Sequence, residues 1–138
     1  FRAKPTIPMR GWPDPGAEDL VRTVAVARLL LGPGMNIQAP PNLSAEGYDQ
    51  LAGAGLNDWG GISPLTPDHI NPERPWPGLA ELRRRTESAG HELRERLALY
   101  PEYATRAAFL DHRLRDRVAR AVDADGFVRP DLEVWRNW

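Results

Sequence analysis

Apolar residues recur at helical spacing early in the chain. Leu20, Val21, Val24, Ala27 and Leu31 share one face until Gly32-Pro33-Gly34 stops the run. Asp14 stands where an N-cap is expected, with Pro15 at the first helical position and Glu18 near the positive end of the dipole. Residues 35–39 then read as a short extended run ended by Pro40-Pro41, and Ser44 is placed to cap a short helix reaching Ala54, closed by Gly55. The pattern repeats. Residues 57–63 read as a strand with its outgoing loop, a proline-rich connection runs to Pro77, and a helix over 79–89 stops at Gly90. Leu93, Leu97 and Leu99 alternate loosely with charged residues, which predicts a last strand over 91–99. Ala107, Leu110, Leu114, Val118 and Val122 then predict one amphipathic helix over 104–122, followed by an irregular tail over 125–138.

Strands alternating with helices at this rhythm predict an α/β fold built of parallel units. An isolated set of three or four such units leaves sheet edges open, so the expected architecture is the C-terminal half of a (β/α) barrel. Residues 1–103 would form the barrel units, and residues 104–138 a C-terminal helix and tail packed on them. A doubly wound open sheet is the alternative.

Composition narrows the function classes. The 138 residues carry 18 Lys and Arg against 19 Asp and Glu, a net charge of -1, which offers no field for nucleic acid or an anionic membrane. No apolar run approaches the roughly 20 residues of a membrane-spanning helix. With 41% hydrophobic and 27% charged residues, the chain can build a core. The absence of cysteine removes disulfides, thiolate nucleophiles and any iron–sulfur cluster held by this chain itself. Because it begins at Phe1, inside an extended segment that Pro5 ends, the chain reads as a piece of something longer.

Ligands of parallel α/β folds gather beyond the carboxyl ends of the strands. That rule selects Arg2 and Lys4 with the loop through Pro13, residues 38–42, and residues 58–73. The third loop is the richest. Asp58, Trp59, Gly60, Gly61, Ser63, Thr66, Asp68, His69, Asn71, Glu73 and Arg74 alternate with prolines that fix the backbone. Gly60-Gly61 permits close backbone approach, or simply a tight turn leaving a strand. Asp58, Asp68, His69 and Glu73 are a conceivable mixed metal set, although their spacing matches no defined motif and a hydrogen-bonded corner is the simpler reading. Trp12, Trp59 and Trp76 offer stacking surfaces, Trp59 best of all; Trp135 and Trp138 are expected to pack. Arg83-Arg84-Arg85 reads as a solvated helix face, and His91 and His112 as ordinary surface residues.

At this loop the sequence becomes specific. The run Asn57-Asp58-Trp59-Gly60-Gly61-Ile62-Ser63-Pro64-Leu65-Thr66-Pro67-Asp68-His69-Ile70-Asn71-Pro72-Glu73-Arg74-Pro75-Trp76-Pro77 closely resembles the FO synthases, radical S-adenosylmethionine enzymes that build the 7,8-didemethyl-8-hydroxy-5-deazariboflavin chromophore. Phe1-Arg2-Ala3-Lys4-Pro5 and Ile37-Gln38-Ala39-Pro40-Pro41-Asn42-Leu43 also look like that family, and the resemblance runs to about Tyr103.

The resemblance implies the C-terminal part of the ring-closing radical-SAM domain of a cytoplasmic lyase. The parent would bind a 4Fe–4S cluster and S-adenosyl-L-methionine, and act on a tyrosine-derived adduct of 5-amino-6-(D-ribitylamino)uracil. It also implies partners: the N-terminal half of the barrel, and a second radical-SAM domain or subunit. Without cluster cysteines this chain alone should be inactive. Arg2, Lys4, Gln38, Asn42, Asp58, Trp59, Gly60, Gly61 and Ser63 would face the barrel mouth as substrate-binding residues, with Asp58 or His69 as general base for the proton losses of aromatisation. A stand-alone α/β binding module without enzymatic activity is the competing expectation.

Overall fold

The computed structural model describes residues 3–44, 47–63 and 65–132. It divides into two units, Phe1–Glu92 and Leu93–Trp138.

The first unit is built on three helices. Helix α1 spans Ala17–Leu31, two residues shorter at its start than the sequence predicts, because its N-cap is Gly16. Asp19 reaches back to accept the Gly16 backbone N–H at 3.1 Å, while Asp14 accepts the Ala3 N–H at 2.9 Å instead of capping the helix. The helix ends where Gly32 takes a φ of 80°. Leu20, Val21, Val24 and Ala27 turn inward as expected, but Leu31 is exposed.

Arg28 closes that end. Its guanidinium donates to the carbonyls of Gly32 and Met35, both at 2.7 Å, to that of Gly55 at 2.8 Å and to Asn57 Oδ1 at 3.1 Å. Asn57 Oδ1 also accepts the Ile37 N–H at 2.7 Å. The extended segments around residues 37–39 and 57–58 thereby come side by side, joined by a single parallel bridge between Gln38 and Asp58. Two backbone bonds fix its register, Asn57 N–H to the Ile37 carbonyl at 3.3 Å and Ala39 N–H to the Asp58 carbonyl at 3.2 Å.

Between these segments lie a 3-10 turn, Pro41–Leu43, and helix α2, Tyr48–Gly53. Ser44 does not cap α2. Its N–H closes the 3-10 turn on the Pro41 carbonyl, and Gly47 is the residue at the N-cap. Helix α3, Leu79–Ser88, packs against α2. The core lies between them, where Leu51 and Leu82 are fully buried with Tyr48, Leu56, Trp59 and Thr86.

The second unit departs most from the sequence reading. Residues 91–99 form no strand: Val128 N–H donates to the Glu95 carbonyl at 2.9 Å, and Arg94 and Arg96 lie over the rings of Phe127 and Tyr100. The single helix predicted over 104–122 is three pieces: α4 at Pro101–Ala104, a 3-10 turn at Ala107–Phe109, and α5 at His112–Ala121. Arg106 and Leu110 are extended, and Asp111 starts a new helix by accepting the Arg113 N–H at 2.9 Å. The predicted irregular tail begins instead as a tight antiparallel return, with a bridge between Val122 and Val128 and Asp123 N–H on the Phe127 carbonyl at 2.8 Å. Arg94 holds the turn through Asp123 at 2.7 Å and Asp125 at 3.3 Å. Trp135 and Trp138 lie outside the described residues.

Among the described residues only these two isolated bridges form, and no helix is long and apolar enough to cross a membrane.

Candidate functional site at the loop ends

The three segments that the sequence singles out meet at one place in the first unit, and a carboxylate joins two of them. Asp68 Oδ1 accepts the backbone N–H groups of Ile70 at 2.9 Å and Asn71 at 3.1 Å, the turn expected of an Asp followed two and three residues on by free amides. Its Oδ2 accepts Asn71 Nδ2 at 2.9 Å and Asn42 Nδ2 at 2.8 Å. Asn42 is buried beneath this loop and also donates to the Arg74 carbonyl at 3.0 Å. Lys4 Nζ in turn donates to the Ile70 carbonyl, which brings the N-terminal segment to the same loop.

Hydrogen bonds from the Asn71 amide, then from the Asn42 amide and the Asn71 and Ile70 backbone, hold the Asp68 carboxyl down at about 2, against an opposing desolvation. The group is a fixed anion at neutral pH.

These segments bound a cavity of about 620 Å³. Lys4, Asp14, His69, Asn71, Glu73 and Arg74 line it, with Leu43 as an apolar patch. Cations and carboxylates on one wall, beside an imidazole, suit a polar ligand bearing both charge and hydrogen-bonding groups.

The remaining predicted residues divide into three groups. Gln38, Asp58 and Gly60 form a second cluster at the parallel bridge. Gly60 has a φ of 77° and lies against the Gln38 side chain, and Asp58 Oδ1 accepts the Gly60 N–H at 2.9 Å. Asp58 is therefore separate from the cavity lining that His69 joins. Ser63 accepts from Thr66 Oγ1 at 2.7 Å and Thr66 N–H at 3.0 Å, a local turn, and Gly61 is exposed.

Trp59 belongs to the core: its indole N–H donates to Thr86 Oγ1 at 3.3 Å and its ring meets Tyr48 edge-on, with centroids 5.4 Å apart. It offers no open stacking face, whereas Trp12 is exposed and Trp76 half-buried. Arg2 lies outside the described residues.

The conceivable metal set is not assembled. Among the described residues no three metal-ligating side chains converge, and the Asp68 oxygens are already taken up by four N–H donors. Nor is the arginine run merely solvated. Arg84 pairs with Glu81 at 2.8 Å on the surface, but Arg85 reaches Asp49 at 3.0 Å and covers the Tyr48 ring. Burial pushes the Tyr48 hydroxyl up, with the Arg85 charge opposing.

The cavity is polar, includes Pro5 and Pro72 in its lining, and belongs to the same unit as the parallel bridge. Comparison with known proteins finds relatives along the chain. The chain is 54% identical to the FO synthase of Streptomyces coelicolor over 136 residues, 97% of this chain. It is 52% identical to that of Mycobacterium tuberculosis over its full length. It is 50% identical to the 7,8-didemethyl-8-hydroxy-5-deazariboflavin synthase of Methanopyrus kandleri over 129 residues. The chain is thus a homologue of the FO synthases from end to end. It spans 16% of the length of the first two relatives and 38% of the third. No family model and no solved structure matches.

Proposed function

We propose that this chain is a segment of an enzyme that makes the 5-deazaflavin FO, contributing part of the wall of its substrate cavity. The observation that carries this is the identity of about half of all residues with FO synthases along the whole chain. In this reading the segment is the C-terminal half of the (β/α) barrel of a radical-SAM lyase that closes the deazaflavin ring in the cytoplasm. Two features support it over a stand-alone module. The parallel bridge sets the loops after Gln38 and Asp58 at one end, and α1 leaves Val26, Leu29 and Leu30 exposed, as a helix does when the layer it packs on lies elsewhere. The larger share of the Methanopyrus relative suits a single-domain enzyme, and the smaller share of the others a fusion with a second radical-SAM domain.

A 4Fe–4S cluster would supply the reductive cleavage of S-adenosyl-L-methionine that starts such chemistry. The donor set here does not fit a cluster, since the chain has no cysteine, so its ligands belong to the rest of the parent enzyme. What this chain supplies is the polar wall. Lys4, Asn71 and Arg74 would orient the charged and hydroxylated parts of substrate or S-adenosylmethionine. His69 would take a proton lost in aromatisation. Gln38, Asn42, Asp58, Gly60, Gly61 and Ser63 shape the loops behind that wall, and Trp59 anchors them.

The test uses the complete open reading frame that contains this chain, reconstituted anaerobically with iron and sulfide. With dithionite as reductant, S-adenosylmethionine and the tyrosine-derived adduct of 5-amino-6-(D-ribitylamino)uracil, it should form the fluorescent deazaflavin, and the 138-residue chain alone should not. His69→Gln is expected to lower kcat by about 10²-fold. Near-wild-type turnover by His69→Gln removes the base role. No product from the complete protein removes the functional reading.

A further inference from the structure

We propose that Asp68 is the positioning residue of the cavity: by gathering Asn42, Ile70 and Asn71 on one carboxylate it locks the wall that carries His69 and Arg74. The inference deepens the reading above and rests on it, because it assigns the cavity to a substrate of that enzyme. Each end of the 69–74 loop is tied to the buried Asn42. At one end Asn42 Nδ2 donates to Asp68 Oδ2 at 2.8 Å, and at the other the same nitrogen donates to the Arg74 carbonyl at 3.0 Å. The Arg74 carbonyl can only accept, so it dictates which way the Asn42 amide points. The Asn42 nitrogen must then face residue 68, which has to present an acceptor. Only an ionised carboxylate can accept from Asn42, Asn71 and two backbone N–H groups together.

The residues between these ties include His69, Asn71, Glu73 and Arg74 of the cavity wall. Lys4 reaches the same loop at the Ile70 carbonyl, so a slack loop would displace a cation on the facing segment as well.

Asp68→Asn separates these roles. Asn keeps the turn, since its oxygen still accepts from Ile70 and Asn71, but it turns an N–H toward the Asn42 nitrogen. In the complete enzyme we expect KM for one substrate to rise about tenfold while kcat falls less than threefold. Asn42→Ala should do the same from the other side of the bond, and the double variant should be no worse than the worse single one, as for two halves of one device. Should Asp68→Asn not accumulate folded, Asn42→Ala carries the same test.

Loss of kcat with every KM unmoved, or additive effects in the double variant, would mean ordinary structural support and overturn the proposal. So would unchanged amide exchange in Asp68→Asn at Arg74, whose N–H donates to the Asn71 carbonyl inside the clamped loop. That exchange is read on the folded protein whether or not it forms deazaflavin, so failure of the clamp and failure of the functional reading are told apart.

Discussion

Asp68 shows how little a residue type says until its donors are known. In the sequence it is one carboxylate among several in a metal-like set; in the structure it is the corner that ties its own loop to Asn42. Its carboxyl sits at about 2 when folded, against roughly 3.9 in an unfolded chain. A depressed value stabilises the fold fully above the unfolded value, and that contribution disappears as pH falls through the folded one. Stability should therefore drop between about pH 4 and pH 2. Asp68→Asn should show a shallower drop in urea titrations across that range. Glu81, Asp111, Asp123 and Asp131, also lowered by arginine or backbone partners, contribute to the slope that remains.

Arg28 is the opposite lesson. It looks like one charge on an amphipathic helix, yet its guanidinium ties the end of α1 to the carbonyls of Gly32, Met35 and Gly55. Nothing in local spacing announces that, since Gly55 lies 27 residues away.

At the scale of elements, legibility followed periodicity. Helices α1 and α3 were readable because a run of apolar residues met a glycine stop, at Gly32 and Gly90, whose φ values of 80° and 85° are those a glycine takes most cheaply. The start of α3 at Leu79 was read as well, but that of α1 was not, because a backbone N–H of Gly16 found Asp19 rather than Asp14. The long helix over 104–122 failed for a similar reason. Its spacing was right, but Asp111 finds the Arg113 N–H and nucleates afresh, a local hydrogen bond outweighing a pattern. The strand over 91–99 failed because strand formation needs a paired neighbour, and the bond from Val128 to Glu95 belongs to no bridge or ladder.

The return between Val122 and Val128 gives a prediction of its own. Gly126 has a φ of 87°, and a Cβ there would land on the Pro101 carbonyl. At Gly60 it would meet the end of the flexible Gln38 side chain. Gly60→Ala should cost about 1–2 kcal/mol for its backbone conformation alone. Gly126→Ala should cost more, because the Pro101 backbone cannot step aside. Denaturant midpoints of the two variants decide the order.

At the scale of the whole molecule, the site was legible as a set of loops and not as a geometry. Lys4 and His69 line one cavity and Asn42 holds the loop beneath it, whereas Trp59 turned out to be core and Asp58 to sit at the bridge. Register decides this: alternate residues of an extended segment face opposite ways, and only the pairing of Gln38 with Asp58 says which.

The same scale holds the exposed apolar stripe of α1, where Leu29 and Leu30 are 83% and 80% exposed. Replacing them as Leu29→Lys with Leu30→Glu should change the stability of the isolated chain by less than about 0.5 kcal/mol. It should also reduce self-association in size-exclusion chromatography. In the complete enzyme, where the stripe would be covered, the same pair should lower the folded yield; an undisturbed yield would show that nothing rests on it.

That stripe also bears on the fate of the chain in a cell. Adjacent leucines on a surface are what holdase chaperones and quality-control proteases bind, whether or not the rest of the molecule is folded. How long a newly made copy survives would then depend on how fast the stripe is covered, a matter of kinetics, and only secondarily on the free energy of unfolding.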